Sequence, residues 1–438
     1  MNDESSLLVD VRQLRIGMYI VLDLGWLSHP FPVNRFRIAS ETQIEILRDL
    51  GLEQVRWIPS LSDDPSLEPA DAAVRSDAAG ERAAEMLAAP GAQALVPEDE
   101  AADIDAVDQR LQRQREWLEA CDRRFVAATR AYRKLADSIQ GSPAQARIES
   151  EALVGDCVQE LMHNNESVIV LLSEGIGDRQ ALHPVNVMVL SLLMGKAQGM
   201  GTQALQDLGM AALLHDIGKL RLPVPLALPF PGMQPADFER YRSHVGESVV
   251  MGKGMGLSST VLLAMAQHHE MHDGSGFPLR LRGEELCMAG RILGLVNHYE
   301  RLCNPARAAQ GLTPHEALST MYAQQKSLFD PMVLGLFIRM MGVYPPGSVV
   351  QLVNDRYALV VSVNSSRPLR PRVIVYDPRV PRDSALVLDL ETCPEIGVRR
   401  SLRPSQLPRE ALEYLSPRQR ICYFFERAID AERVEAFA

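Results

Sequence analysis

The sequence predicts a multidomain chain, with an all-α helical domain flanked by a small N-terminal α+β module and a small C-terminal β-rich module. Three observations carry this prediction. Residues 145–340 divide into apolar segments of helix length separated by turn clusters. After Pro345-Pro346-Gly347 the apolar period becomes that of strands. Residues 7–60 hold short apolar runs broken by turn residues, and 438 residues are enough for two or three cores.

Taken in order, residues 1–60 form the N-terminal module. Met18-Tyr19-Ile20-Val21-Leu22 reads as a strand, and 41–50 as a helix closing at Gly51. Residues 61–107, rich in Ala, Pro, Asp and Glu, read as a flexible acidic linker. Over 108–144, Leu111, Leu118, Phe125, Tyr132 and Ile139 recur every seventh residue, and Cys121, Ala128 and Leu135 partly fill a second stripe. That spacing puts a narrow apolar seam on one long helix. Two readings stay open: a helix packed on its own domain, or a homodimer formed through 111–139. Gly141-Ser142-Pro143 ends the pattern.

The all-α domain is assigned to 145–344, with helical segments at 152–172, 183–198, 204–214, 260–269, 287–302, 314–322 and 331–341. The C-terminal module, 345–438, shows strand patterns at 349–353, 357–363, 372–376 and 385–390. Asn354-Asp355-Arg356 turns a hairpin between the first two, and helices are expected at 408–415 and 417–429.

Composition narrows the classes of function. The net charge of −11, with no concentrated basic stretch, disfavours binding to nucleic-acid polymers or to a membrane surface. Six scattered cysteines without a Cys-x-x-Cys pair read as reduced thiols. The start, Met-Asn-Asp-Glu-Ser-Ser, is not that of a signal peptide, and no apolar run approaches the roughly 20 residues of a membrane span. A cytoplasmic protein is expected.

Seven of the ten histidines fall between His183 and His298. They belong to a series that runs His183, His215-Asp216 with Lys219, His244, His268-His269 and then Asn297. Carboxylate and imidazole together suit divalent first-row ions, which take oxygen and nitrogen ligands side by side. His215 and Asp216 at a helix end can ligate together, and a carboxylate has two oxygens with which to bridge neighbouring ions. Lys219, four residues past His215, lies on the same helix face, within reach of a phosphate held by the metals. His183 precedes an apolar helix, His244 stands in a polar turn, and His268 and His269 end the helix running through Met265. Any one of these alone is more often a core or surface histidine than a ligand. Their joint occurrence at helix ends and turns points to a metal centre.

The string His215-Asp216-Ile217-Gly218-Lys219, followed by His268-His269-Glu270 and Asp273-Gly274-Ser275-Gly276-Phe277-Pro278, resembles the HD-GYP family, a branch of the HD-domain metal-dependent phosphohydrolases. The likeness covers roughly 150–340. The segment from Val9 to Tyr19 resembles a small module often found upstream of such domains in bacteria. The resemblance implies an HD-type all-α domain that hydrolyses cyclic di-GMP to linear pGpG or GMP through a metal-bridged hydroxide. It implies that His183, His215 and Asp216, aided by Asn297, hold one iron or manganese ion. Asp216 would bridge to a second ion on His244, His268 and His269. Lys219 would steady the phosphate or assist the leaving oxygen, so Asp216 and Lys219 are the expected catalytic residues. Gly274, Gly276 and Pro278 would shape a substrate loop, with Phe277 supplying a stacking face.

Four positions depart from the family pattern. Asn297 replaces a ligand aspartate and brings no negative charge. Arg179 stands where some members carry a glutamate for a third ion, so two divalent ions are expected. Phe277 replaces a tyrosine. Ala306-Arg307-Ala308-Ala309-Gln310 replaces a basic string, leaving Arg307 as the cation expected to meet substrate phosphate. Glu300, three residues past Asn297, is expected to compensate in part for the lost charge. Asp273 and Arg291 match the family either as functional groups or as pins for a loop and a helix end. His272, His298 and His315 are expected outside the ligand set, and Met194, Met210 and Met265 in the core. A catalytically weak sensor of cyclic di-GMP or a scaffold for signalling proteins is the competing reading, and another HD-type nucleotide phosphohydrolase is a third.

Overall fold

Four short antiparallel strands, β1 (Leu7–Asp10), β2 (Tyr19–Val21), β3 (Arg35–Arg37) and β4 (Gln54–Trp57), pair in the order β1-β4-β2-β3. The computed structural model describes residues 7–22, 35–38, 43, 44, 47, 48, 52, 54–62, 99–163, 167–178, 180–228, 232–364, 370–393 and 396–427. The chain divides into two compact units, Met1–Glu98 and Asp99–Ala438. In the first, β4 alternates exposed and buried residues, so Val55 and Trp57 meet Met18, Ile20, Ile38, Ile44 and Leu47 in one apolar core. Residues 43, 44, 47 and 48 are helical, and the rest of the expected 41–50 helix lies outside the described residues.

The expected linker is shorter than 61–107 at its C-terminal end. Helix α1 runs Asp99–Ser138, because Asp, Glu and Ala, read as linker residues, serve equally as the opening turns of a helix. Residues 63–98 lie outside the described ones. The sevenfold seam on α1 is covered by the chain itself: Cys121, Phe125 and Leu135 are fully buried, and Phe125 meets Phe424 edge-on at 6.4 Å. Arg124 donates to the Phe425 carbonyl at 2.6 Å. The apolar seam is thus packed on the helix's own unit.

The helical core follows as α2 (Pro143–His163), α3 (Leu182–Ala197), α4 (Thr202–Leu214), α5 (Pro235–Arg242), α6 (His244–Met255), α7 (Ser259–Gln267), α8 (Met288–Cys303), α9 (Pro314–Ala323) and α10 (Pro331–Met341). Helix α3 is buried around nearly its whole circumference, which places it at the centre. Met194, Met210 and Met265 lie in this core, as expected.

Two expected helices are corrected. The apolar run 152–172 is helical only to His163, and Ser167–Leu171 forms strand β5. Consecutive Val168, Ile169 and Val170 are stiff at χ1 and fit a pleated sheet better than a helix. The expected helix at 417–429 is instead strand β11 (Tyr423–Arg427), where three aromatics run in sequence. Helix α11 (Arg409–Leu415) matches the other expected C-terminal helix.

These strands also revise the division at 344/345. β5 and β11 join β6 (Val349–Leu352), β7 (Tyr357–Asn364), β8 (Arg372–Val375), β9 (Val387–Asp389) and β10 (Val398–Leu402) in one seven-stranded antiparallel sheet. Its main path runs β10-β6-β7-β5-β11, with Tyr423 opposite Leu171 and Val168 opposite Asn364. The strand-rich C-terminal segment and the helices therefore share one unit. The hairpin at 354–356 is present, with Asp355 left-handed at φ 64°. All six cysteines are free thiols. Among the described residues, no helix is long and apolar enough to cross a membrane.

Candidate metal centre

Helix α4 ends in four buried residues, Ala211 to Leu214, which drive the next turn inward and leave His215 fully buried and Asp216 nearly so. A 3-10 turn, Ile217–Arg221, then carries Lys219 back over Asp216, whose Oδ2 accepts a short hydrogen bond from the ammonium. Gly218 makes this possible: a Cβ there would lie 2.2 Å from the His244 carbonyl oxygen and 2.5 Å from the Ser248 nitrogen. The expected polar turn at His244 is instead the first residue of α6, directly after α5.

Asp216 is the centre of the site. Its Oδ2 lies 3.4 Å from both His183 Nε2 and His215 Nε2, while Oδ1 lies 3.2 Å from His244 Nε2 and 3.6 Å from His268 Nε2. Two candidate ligand groups meet at this carboxylate: His183, His215 and Asp216, and Asp216, His244, His268 and His269, with the candidate atoms of each group within 4.8 Å of one another.

The imidazoles are oriented from behind. His215 Nδ1 donates to the Ala212 carbonyl at 2.7 Å, His244 Nδ1 to Tyr241 and His268 Nδ1 to Met265 at 2.6 Å. Each leaves Nε2 facing Asp216. His183 Nδ1 is held by the buried carboxylate of Glu300, which also accepts from Asn304. Such backing bonds fix ring orientation and raise ligand basicity.

Burial pushes His215 and His244 below their ordinary values, His268 down to about 4, and His269 well down. Neutral imidazoles are the coordinating form. For His183 burial acts in the same direction, but Glu300 and Asp216 outweigh it and raise the ring. Burial likewise opposes ionisation of Asp216, yet Lys219 and His215 hold its carboxyl well below the usual range.

The donor set fits divalent cations. Oδ1 of Asp216 is buried and accepts no hydrogen bond, and the same holds for Oδ1 of Asn297 on α8, itself 2% exposed. Buried oxygens are normally satisfied; the open Asp216 oxygen faces the imidazoles, as a ligand atom would, and the open Asn297 oxygen is a second candidate. Arg179 lies outside the described residues.

The loop after His269 is shaped by Glu270, whose buried carboxylate accepts from the backbone nitrogens of Leu279 (2.6 Å), Arg280 (3.2 Å) and Leu281 (3.0 Å). Gly276 packs so closely that a Cβ would lie 2.4 Å from the Met271 nitrogen, while Gly274 has φ +80°. Phe277 stacks on His269 with centroids 4.5 Å apart and 20° between planes, so the ring braces that candidate ligand. Pro278 is exposed, as is Arg307. Asp273 accepts from Ser275 within its own loop, and Arg291 ties α8 to Asp330 at 2.9 Å, so both act as pins. His298 bonds Gln325 and His315 bonds the Val343 carbonyl, outside the ligand set, and His272 donates its backbone nitrogen to Leu328.

Sequence reasoning missed two residues. Tyr241, 2% exposed, places its hydroxyl 3.3 Å from His269 Nε2 and its ring 4.7 Å from that of His244. Arg301 donates to that hydroxyl, and its guanidinium stands 5.6 Å from the ring centroid. Their spacing, three residues before His244 and four after Asn297, was the available signal; it needed α5 to be recognised as a helix.

Comparison with known proteins follows this geometry. The HD domain model matches residues 157–333, and the model of a domain of unknown function, DUF3391, matches 6–149. The chain is 27% identical over 373 residues to a cyclic di-GMP phosphodiesterase of Pseudomonas aeruginosa, covering 84% of each chain. It is 23% identical over 192 residues to a cyclic di-GMP phosphodiesterase of Borreliella burgdorferi, covering 44% of this chain and 51% of that protein. Among solved structures, an HDG"Y"P protein from Bdellovibrio bacteriovorus aligns with a TM-score of 0.42 at 16% identity, covering 76% of this chain and 97% of that one. The buried His-Asp cluster lies within the segment that matches the HD domain model, and the segment matching DUF3391 precedes it.

Proposed function

We propose that this protein is a metal-dependent phosphodiesterase that hydrolyses cyclic di-GMP to linear pGpG, to GMP, or to both. The observation that carries the reading is the single buried carboxylate, Asp216, shared between two groups of inward-facing histidines. The names of the relatives supply the substrate class. In this reading His183, His215 and Asp216, with Asn297, would hold one iron or manganese ion, and Asp216, His244, His268 and His269 a second. When bound, such a pair polarises a phosphodiester and lowers the pKa of a nearby water.

The chain's own groups then do the rest. Lys219, poised on Asp216, offers an ammonium to phosphate charge or a proton to the leaving oxygen. Glu300 keeps the His183 ring turned towards the centre. A cytoplasmic setting, with flanking modules recruiting signalling proteins, belongs to the same proposal.

Protein loaded with manganese or ferrous iron under reducing conditions should cleave cyclic di-GMP, with products resolved by chromatography. Asp216→Ala and His215→Ala should bring turnover to background and reduce bound metal. Absence of turnover with metal in place overturns the enzymatic reading. A second reading, a cyclic di-GMP sensor or scaffold, is favoured by the neutral ligand Asn297 and the exposed Arg307; tight binding without product would select it.

A further inference from the structure

We propose that Arg301 is the phosphate-recognition residue of this site, forming with Lys219 an anion subsite around the Tyr241 ring. The inference rests on the phosphodiesterase reading and assigns within it a residue that the sequence pattern gave to Arg307. Three observations carry it.

The first is placement. Arg301 lies on α8 four residues past Asn297, hence on the same helix face. Its guanidinium and the Lys219 ammonium each stand 5.6 Å from the centroid of Tyr241, whose hydroxyl reaches the ligand His269. Two cations are thus gathered at one ring beside the ligand cluster.

The second is the lack of a counter-ion. Among the described residues, no carboxylate lies within ion-pair distance of Arg301. Glu300 is committed to His183 and Asn304, and Asp216 to Lys219 and the histidines. Of the five N–H donors of a guanidinium, one, on Nη1, has a partner among the described residues, the Tyr241 hydroxyl. The remaining donors are uncommitted within the described residues, and a phosphate would meet them in bidentate fashion.

The third is the electrostatic setting. A fixed cation beside a cluster built to hold metal ions repels those ions, a penalty that an anion lying between them offsets. Arg307, by contrast, is exposed.

The test titrates orthophosphate, and separately cyclic di-GMP, into the metal-loaded full-length protein by calorimetry. Arg301→Met should weaken both by about tenfold or more, with melting temperature and metal content unchanged. Arg301→Lys should keep part of the affinity, because it retains a point charge but not the fork. Arg307→Ala should change neither ligand's affinity. In turnover, Arg301→Met should raise KM more than it lowers kcat. Unchanged phosphate affinity in Arg301→Met, loss of its metal, or transfer of the effect to Arg307→Ala overturns the inference. Should Arg301→Met fail to fold, an Arg301→Lys protein with full affinity and unaltered salt dependence does the same. Wild type that binds no orthophosphate also overturns it. Wild type that binds phosphate through Arg301 yet cleaves no cyclic di-GMP overturns only the phosphodiesterase reading.

Discussion

At the scale of single residues, the site is built by what stands behind each ligand. His215, His244 and His268 each use Nδ1 on a carbonyl three residues back, a bond available to a histidine at or just beyond a helix end. His183 has no such carbonyl and takes Glu300 instead. Burial disfavours charge on both partners, yet their mutual attraction holds Glu300 below its ordinary value and His183 above its own. Glu300 was expected from sequence to make up for the charge missing at Asn297; its carboxylate acts through the His183 ring. Glu300→Gln should therefore weaken metal binding by about 10- to 100-fold while the fold persists, as measured by competition with a chelator. Affinity equal to wild type would show that the carboxylate only fills space. The histidines and Asp216 were legible because adjacent pairs at helix ends leave a local signature. Tyr241 and Arg301 were not, since they reach the cluster only through the packing of two separate helices.

At the scale of elements, the site depends on how closely the 3-10 turn after Asp216 approaches α6. Gly218 donates its backbone nitrogen to Ser248 Oγ at 2.8 Å, and the space a side chain would need is filled by the backbone of His244 and Ser248. Backbone cannot rotate away as a side chain can, so Gly218→Ala must separate Asp216 from His244. The expected result is a loss of about 1–3 kcal/mol in stability, from chemical denaturation, together with reduced metal content. Gly254, on the exposed side of the same α6, has nothing within 4 Å of its would-be Cβ. Gly254→Ala should be neutral or add up to about 1 kcal/mol of stability. Equal effects of the two substitutions would refute the close-approach argument. The sequence reading recognised Gly218 only as part of a string. It did not assign α5 or α6, because the short Pro235–Arg242 is half charged and His244–Met255 carries three glycines, so neither shows a clear apolar stripe.

At the scale of the whole molecule, the chain's last described strand completes the frame that holds the ligands. The sequence reading separated 345–438 from the helices because the apolar period changes after Gly347, and local periodicity cannot reveal pairing between strands some 250 residues apart. β11 pairs with β5 and packs Tyr423, Phe424 and Phe425, each 3% exposed or less, against the helical core. The Asn186 side chain on α3 bonds the Ile421 carbonyl and the Tyr423 nitrogen, and the Tyr299 hydroxyl on α8 lies 2.9 Å from that of Tyr423. Helix α3 carries His183 near its start and α8 carries Asn297 and Glu300, so β11 braces the two elements that bring these residues to the candidate site. Three buried aromatics, at about 150–250 Å² each and about 25 cal/mol per Å², contribute about 11–19 kcal/mol as an upper estimate. That is comparable to the entire stability of an ordinary domain, about 5–15 kcal/mol. A chain ending at Leu415 should accordingly lose cooperative unfolding and bind little metal, whereas division into independent modules predicts a folded, metal-binding helical domain. Circular dichroism melts and metal analysis on the shortened chain separate the two outcomes, and a sharp transition with full metal content would show that the helices need no strand from the C-terminal segment.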